Sequence, residues 1–332
     1  MKDKLLKLEE VLVRFPKQIK NLYHNLINNL QSSYKKMHDL SATNYNLGLH
    51  HLNLGNIRDA KFRFLISSKL KPNNALTHYH LARCYLFDLN IEKAKNELKT
   101  TLSISPNLIK AEYRLSLLNH SLTNIKIPLE IVEEDYNTLA NKYEDDILDQ
   151  KGYEAPEILV TSISEFIEEN HSILDLGCGT GLIGAHLAQT TKFKSLVGID
   201  ISKNMLNLAK ELNIRNIPIY NKTQILDFNK LEKLQDKFDV IISCMSFDYI
   251  DDLTDIFKGL DHVCNKETFL GLTVLKSSND NNSFDYEQSA IAHSEKTLKK
   301  LFKQFKWNIL KSEEINTYTN NTPSLLFILK KN

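Results

Sequence analysis

Past residue 171 the chain alternates short apolar runs with stretches of helical spacing, whereas ahead of it apolar positions recur mostly at intervals of three and four. The strand-like runs are Ser172–Leu176, Ser195–Asp200, Ile217–Asn221, Val240–Met245, Phe269–Lys276, Trp307–Ile315 and Ser324–Lys330. Helical patterns fall between them at Leu182–Gln189, Lys203–Leu212, Leu231–Lys237, Leu253–Cys264 and Glu295–Phe305. This alternation predicts an α/β, doubly wound, seven-stranded sheet, with its ligand crevice at the carboxyl ends of the strands. The last two runs are joined by the turn-rich Asn316–Pro323, a link short enough to force antiparallel pairing.

The first half repeats itself at an offset of 34 residues. Asn56-Ile57-x-x-Ala60-Lys61 recurs as Asn90-Ile91-x-x-Ala94-Lys95, and Pro72-Asn73 as Pro106-Asn107. One copy reads Leu47-Gly48-x-x-His51, Ala60-x-x-x-Phe64, Pro72; the next reads Leu81-Ala82-x-x-Tyr85, Ala94-x-x-x-Leu98, Pro106. Small residues let paired helices approach, large ones fill the gap, and proline stops the second helix. Period and pattern resemble the tetratricopeptide (TPR) repeat. His51 departs from the usual aromatic, and a third copy opens at Glu112-x-x-Leu115 but is lost near Ile125–Pro128. Two copies need a cap to bury a continuous core. Leu5, Leu8, Val11, Leu12 and then Ile19, Leu22, Tyr23, Leu26 and Ile27 supply helical spacing for one, broken at Pro16.

Ile173-Leu-Asp-Leu-Gly-Cys-Gly-Thr-Gly181 takes the first strand into a glycine-rich turn, and Gly198-Ile199-Asp200 ends the second strand in a carboxylate. Glycines permit a sharp turn and close approach to a ligand, and an acid at that strand end can chelate ribose hydroxyls. Gly179-x-Gly181-x-x-Gly184 also satisfies a dinucleotide fingerprint, so NAD is weighed against S-adenosylmethionine (SAM). Asp175 would repel a pyrophosphate on the helix N-terminus but welcome the methionine ammonium of SAM. The antiparallel end of the chain also fits a SAM-binding sheet.

These features resemble the class I SAM-dependent methyltransferases, with Asp175-x-Gly177-x-Gly179-x-Gly181 as their first motif. Glu134-Asp135-Tyr136-x-x-x-Ala140-x-x-Tyr143-Glu144, Gly152-Tyr153-x-x-Pro156 and Ala292-His293-Ser294 are similar to segments of predicted TPR-containing methyltransferases. The resemblance implies a Rossmann-like methyltransferase sheet behind an all-α TPR-like domain. It implies that Asp175 pairs with the methionine ammonium, that Gly177, Gly179 and Gly181 border the methionine, and that Asp200 holds the ribose. Ile201 and Met205 flank the adenine, Asp227-Phe228 lies where relatives bind the adenine amine, and backbone at Ser243 meets the methionine end. Tyr136 and Tyr143 form part of a lid. Tyr249 and His293 are candidate substrate contacts or bases; Asp248, Asp251, Asp252 and Asp255 read as capping the next helix. The strand-four end Ser243-Cys-Met-Ser246 lacks the Asn/Asp-Pro-Pro-aromatic motif of amide and exocyclic-amine methyltransferases.

The expected organisation is a helical cap over 1–40, TPR-like repeats over 41–128, lid or linker helices over 129–156 and the methyltransferase domain over 157–332. Forty-two basic against forty-one acidic residues give a net charge of +1, without the basic field of nucleic-acid binding. Cys84, Cys178, Cys244 and Cys264 lack metal or disulfide spacing. No apolar run fits a signal peptide or a membrane span, so a cytoplasmic protein is expected. The TPR-like groove is expected to receive a protein or peptide. The rival readings are a catalytically silent SAM-binding scaffold and a small-molecule carboxyl or hydroxyl methyltransferase whose repeats are only structural.

Overall fold

The computed structural model describes residues 17–122, 125–145, 152–319 and 321–332. The expected cap residues Leu5, Leu8, Val11 and Leu12 lie outside them. Five helices open the described chain: α1 (Lys17–Asn53), α2 (Ile57–Leu70), α3 (Ala75–Phe87), α4 (Ile91–Ile104) and α5 (Ile109–Leu118). The Asn74 and Asn90 side chains cap α3 and α4 by accepting from the Thr77 and Lys93 N–H groups, each replacing a partner the first turn lacks. Gly48 faces Phe64 so closely that a Cβ there would lie 2.7 Å from the ring. α1 runs unbroken through residue 40, so no boundary falls where the cap was expected to end.

Contacts divide the chain into two units, the second made of Asn53–Gly55 and Leu108–Asn332, so that the main division falls at 108 rather than 128. In the second unit, α5 packs on α6 (Leu129–Leu139): Tyr113 joins Ile127, Ile131, Val132 and Ile291 in one apolar cluster. Arg114 forks onto Asp135 through hydrogen bonds of 3.2 and 2.7 Å.

Seven strands form the main sheet: β1 (Ser172–Leu176), β2 (Ser195–Asp200), β5 (Lys222–Ile225), β6 (Phe238–Cys244), β7 (Cys264–Leu275), β10 (Trp307–Asn316) and β11 (Pro323–Lys331). Their spatial order is β10-β11-β7-β6-β1-β2-β5. All neighbours are parallel except β11, which runs antiparallel to both β7 and β10. The order reverses between β1 and β6, which puts a crevice beyond their carboxyl ends. α7 (Ala155–Ser164), α8 (Leu182–Thr190) and α9 (Lys203–Glu211) cover one face through Leu159, Ile163, Leu187 and Leu206. α10 (Thr254–Val263) and α11 (Glu295–Gln304) cover the other through Phe257, Leu260 and Phe302.

Three local expectations are corrected. Ile217–Asn221 is not the third core strand: Ile217–Pro218 (β4) pairs with Asn213–Ile214 (β3), and β5 follows it. Leu231–Lys237 is not an α-helix, since a 3-10 helix spans Phe228–Lys233 instead. A hairpin of β8 (Ser283–Asp285) and β9 (Ala290–Ala292) was not expected at all. Among the described residues no helix is long and apolar enough to cross a membrane.

Candidate active site

β1 ends at Leu176 and the chain turns over three left-handed glycines, with φ of +72° at Gly177, +54° at Gly179 and +100° at Gly181. The Gly177 and Cys178 N–H groups both donate to the Ile199 carbonyl, tying the turn to β2. A Cβ on Gly177 would sit 2.2 Å from Ser246 Oγ, whereas one on Gly179 would meet no atom within 4 Å. Gly179 therefore borders open space, and Asp200 stands beside it: its carboxylate accepts from the Gly179 N–H (3.0 Å) and the Ser202 N–H (2.8 Å). A carboxylate has about four lone-pair positions, so these donors leave room for a ligand's hydroxyl. Burial pushes the Asp200 carboxyl above its usual range, and these N–H donors oppose the shift.

Gly177, Gly179, Asp200, Ile201, Asp227 and Phe228 line a single cavity of about 970 Å³, open solvent included. That is the upper part of the roughly 300–1,000 Å³ range of small-molecule sites. Asp227 is held by the Asn229 N–H (2.9 Å), and Phe228 stands edge-on to Phe247. Tyr136 and Tyr143, on α6 and just after it, line the cavity with Tyr153, Tyr249 and Tyr318. The hydroxyls of Tyr136 and Tyr249 share a hydrogen bond. Burial raises the pKa of all five phenols, Tyr318 to about 12, so each stays protonated at neutral pH.

Five expected site residues lie off the cavity wall. Asp175 is sealed beneath it: Tyr220 donates to its Oδ2 (2.6 Å) while accepting from the Gly184 N–H (3.2 Å). Asp175 Oδ1 has no partner among the described residues, and burial lifts this carboxyl to about 7. It is thus a support of the glycine turn, not an ammonium contact. Gly181 precedes α8, and a Cβ there would strike Leu212. Met205 is buried on α9 and Ser243 in β6; Cys244, Met245 and Ser246 line the wall in their place. His293 is fully buried, donates through Nε2 to the Phe247 carbonyl (3.1 Å), and is held neutral with a pKa of about 4 by its burial. It cannot serve as the base.

The cavity also contains residues the sequence did not single out for it. Asp248 caps nothing: it is 2% exposed and lines the cavity, with Oδ1 accepting from the Leu275 N–H (3.0 Å). Gln288 and Ala290 come from the unexpected hairpin. Tyr220 was read only as part of a strand. No spacing rule announces a residue that enters through a loop, and the tyrosines carry no motif of their own beyond the 134–156 segment.

A doubly wound sheet, a glycine turn opening on a cradle, and a strand-end acid facing that cradle make this domain similar to the Rossmann-like, SAM-dependent methyltransferases. Residues 167–322 match the family model of the methyltransferase domain. A malonyl-[acyl-carrier protein] O-methyltransferase of Bacillus anthracis is 31% identical over 107 residues, covering 31% of this chain and 38% of that protein. An uncharacterized methyltransferase of Schizosaccharomyces pombe is 29% identical over 178 residues, 51% of this chain and 56% of its own length. The chain thus spans about two fifths to somewhat over half of these curated relatives. Among solved structures, magnesium protoporphyrin IX methyltransferase of Synechocystis PCC 6803 with bound SAM is 16% identical with a TM-score of 0.48, covering 64% of this chain and 99% of that one.

Proposed function

We propose that the protein is a SAM-dependent methyltransferase of the TPR-containing type, acting in the cytoplasm on an acceptor recruited through its helical repeats. The observation that carries the reading is the pairing of Asp200 with the open cradle at Gly179. Asp200 would take the ribose hydroxyls, Ile201 and Phe228 the adenine faces, and Asp227 the adenine amine. The backbone of Gly177 and Gly179 would border the methionine, with Tyr136 and Tyr143 above it. Bound SAM supplies a methyl group already activated on a cationic sulfur, so positioning and exclusion of water dominate the demands on the protein. The protonated phenols meet both demands as donors and as apolar walls, and none acts as a phenolate base.

Support for the repeats comes from their period: α2 and α4 begin at Ile57 and Ile91, and α3 and α5 at Ala75 and Ile109. Stacked helical hairpins of this kind offer a concave surface for a protein or peptide. His80 is unsuited to probing that surface, because it is buried in a stack on Phe64 with centroids 5.4 Å apart. Asn46 is exposed.

Calorimetry should detect binding of SAM and S-adenosylhomocysteine but not NAD. Asp200→Ala should weaken SAM by about ten- to a hundredfold, or ~1–3 kcal/mol. Unchanged SAM affinity in that variant would overturn the assignment. Incubating lysate with the protein and labelled SAM, then separating macromolecules from small molecules, identifies the class of acceptor.

A further inference from the structure

The cavity has an unusual balance of charge. Its described lining includes no lysine, arginine or histidine, yet it contains the carboxyl group of Asp248. Asp248 Oδ1 accepts from the Leu275 N–H, while Oδ2 makes no hydrogen bond among the described residues. Around it stand the rings of Tyr136 and Tyr249, perpendicular with centroids 5.6 Å apart; Tyr143 lies 5.9 Å from Tyr136. Tyr153 and Tyr318 form a second pair at 5.4 Å. A carboxyl group with one free oxygen, walled by aromatic faces, attracts a cation both by charge and through the ring quadrupoles.

Resting on the methyltransferase reading, we infer that the part of the cavity at Asp248 is the acceptor subsite and that its acceptor is an amine, held at its nitrogen by Asp248 and the neighbouring tyrosine rings. A carboxylate or phosphate acceptor would enter beside Asp248 with no positive group in the described lining to offset it. A hydroxyl acceptor would gain no charge pairing from Asp248. An ammonium is the complementary charge, and its conjugate amine can accept a methyl group once the proton is lost. Asp248 is placed to take that proton: R–NH3⁺ and –COO⁻ become R–NH2 and –COOH, leaving the nitrogen lone pair free. Burial disfavours the ionised Asp248 carboxylate and pushes its pKa well above the usual range, so the charge is kept only when a cation pairs with it, and the paired carboxylate is then the stronger proton acceptor.

Three probes of one length and different charge test this: n-butylammonium, n-butanol and n-butyrate, titrated calorimetrically into the full-length protein with and without saturating S-adenosylhomocysteine. Butylammonium should bind at least about tenfold more tightly than either of the others. Asp248→Asn keeps an acceptor for the Leu275 N–H and should bring the three probes to within about threefold of one another, while affinity for S-adenosylhomocysteine is unchanged. Equal or tighter binding of butyrate or butanol by the unaltered protein overturns the proposal, as does an absence of measurable butylammonium binding. Selectivity that survives in a folded Asp248→Asn protein also overturns it; should that variant fail to fold, the ranking of probes on the unaltered protein decides alone. Failure of S-adenosylhomocysteine itself to bind would instead sink the cofactor reading, and the two failures are separately visible.

Discussion

A methyl group added at Gly177 and one added at Gly179 should do different damage. Both positions have a left-handed backbone, which costs an alanine roughly 1–2 kcal/mol. At Gly177 the new carbon would also displace Ser246, which donates to the Leu176 carbonyl (3.0 Å), so Gly177→Ala should lose about 2–4 kcal/mol in denaturant melts. Gly179→Ala should melt nearer to the native protein and lose at least about tenfold in S-adenosylhomocysteine affinity, because its methyl projects into the cradle. Equal stability losses with intact binding in both would mean that the space over Gly179 is not where the ligand lies. Asp175 gives a prediction of another kind. Its folded pKa, about 7, exceeds the ordinary 3.8, so between these values the native state holds a proton that the unfolded chain has released. Stability from this group is therefore full below about pH 4 and falls as pH rises to about 7, by at most ~4 kcal/mol. Asp200 and Asp248 are shifted the same way, so the difference between the native protein and Asp175→Asn isolates the effect: chemical denaturation across that window should show a flatter profile in the variant. The glycines and Asp200 were legible in the sequence because a turn of this kind restricts residue type. The burial of Asp175 beneath Tyr220 was not, since nothing local distinguishes an acid that faces a ligand from one that props up the turn.

At the scale of elements, strands that bury apolar side chains of their own were readable. β1 and β2 match their expected bounds because Ile173, Leu174, Leu196 and Ile199 are all fully buried. β5 is an edge strand of sequence Lys-Thr-Gln-Ile with no fully buried side chain, so it has no apolar signature, and the neighbouring Ile217–Tyr220 run took its place. β8 and β9 are three residues each, too short to establish a period. α6 is where element and function meet. Asn137 accepts from the Ser202 hydroxyl (2.9 Å) and from the Asn204 N–H (3.1 Å), anchoring α6 to the turn that follows Asp200. Ligand at Asp200 should thus tighten α6. Amides across 134–145 should exchange more slowly with S-adenosylhomocysteine than without it, and identical exchange in the two states would remove the lid role of Tyr136 and Tyr143.

For the whole molecule, the unit boundary at Leu108 decides where a shortened chain can start. A fragment beginning at Leu108 keeps α5, with Tyr113 and the Arg114–Asp135 pair, and should bind SAM as the full chain does. One beginning at Leu129 loses them and should be less stable by on the order of 3 kcal/mol. If the repeats recruit the acceptor, the longer fragment's kcat/KM on the native substrate should fall mainly through KM. An unchanged kcat/KM would leave the repeats a structural or regulatory part. The position of β11 has a consequence for synthesis on the ribosome. It lies between β7 and β10, yet it is the last strand to be made. From the moment Leu275 leaves the peptidyl-transferase centre, ~3–10 s pass at ordinary elongation rates before Lys331 follows. During that interval the largely apolar edge of β7 has no partner strand, and an unpaired strand edge of that length is a template for pairing with other chains. The nascent second unit therefore exposes an open strand edge over a defined window, whereas the helical hairpins before it, built from contacts close in sequence, need not wait.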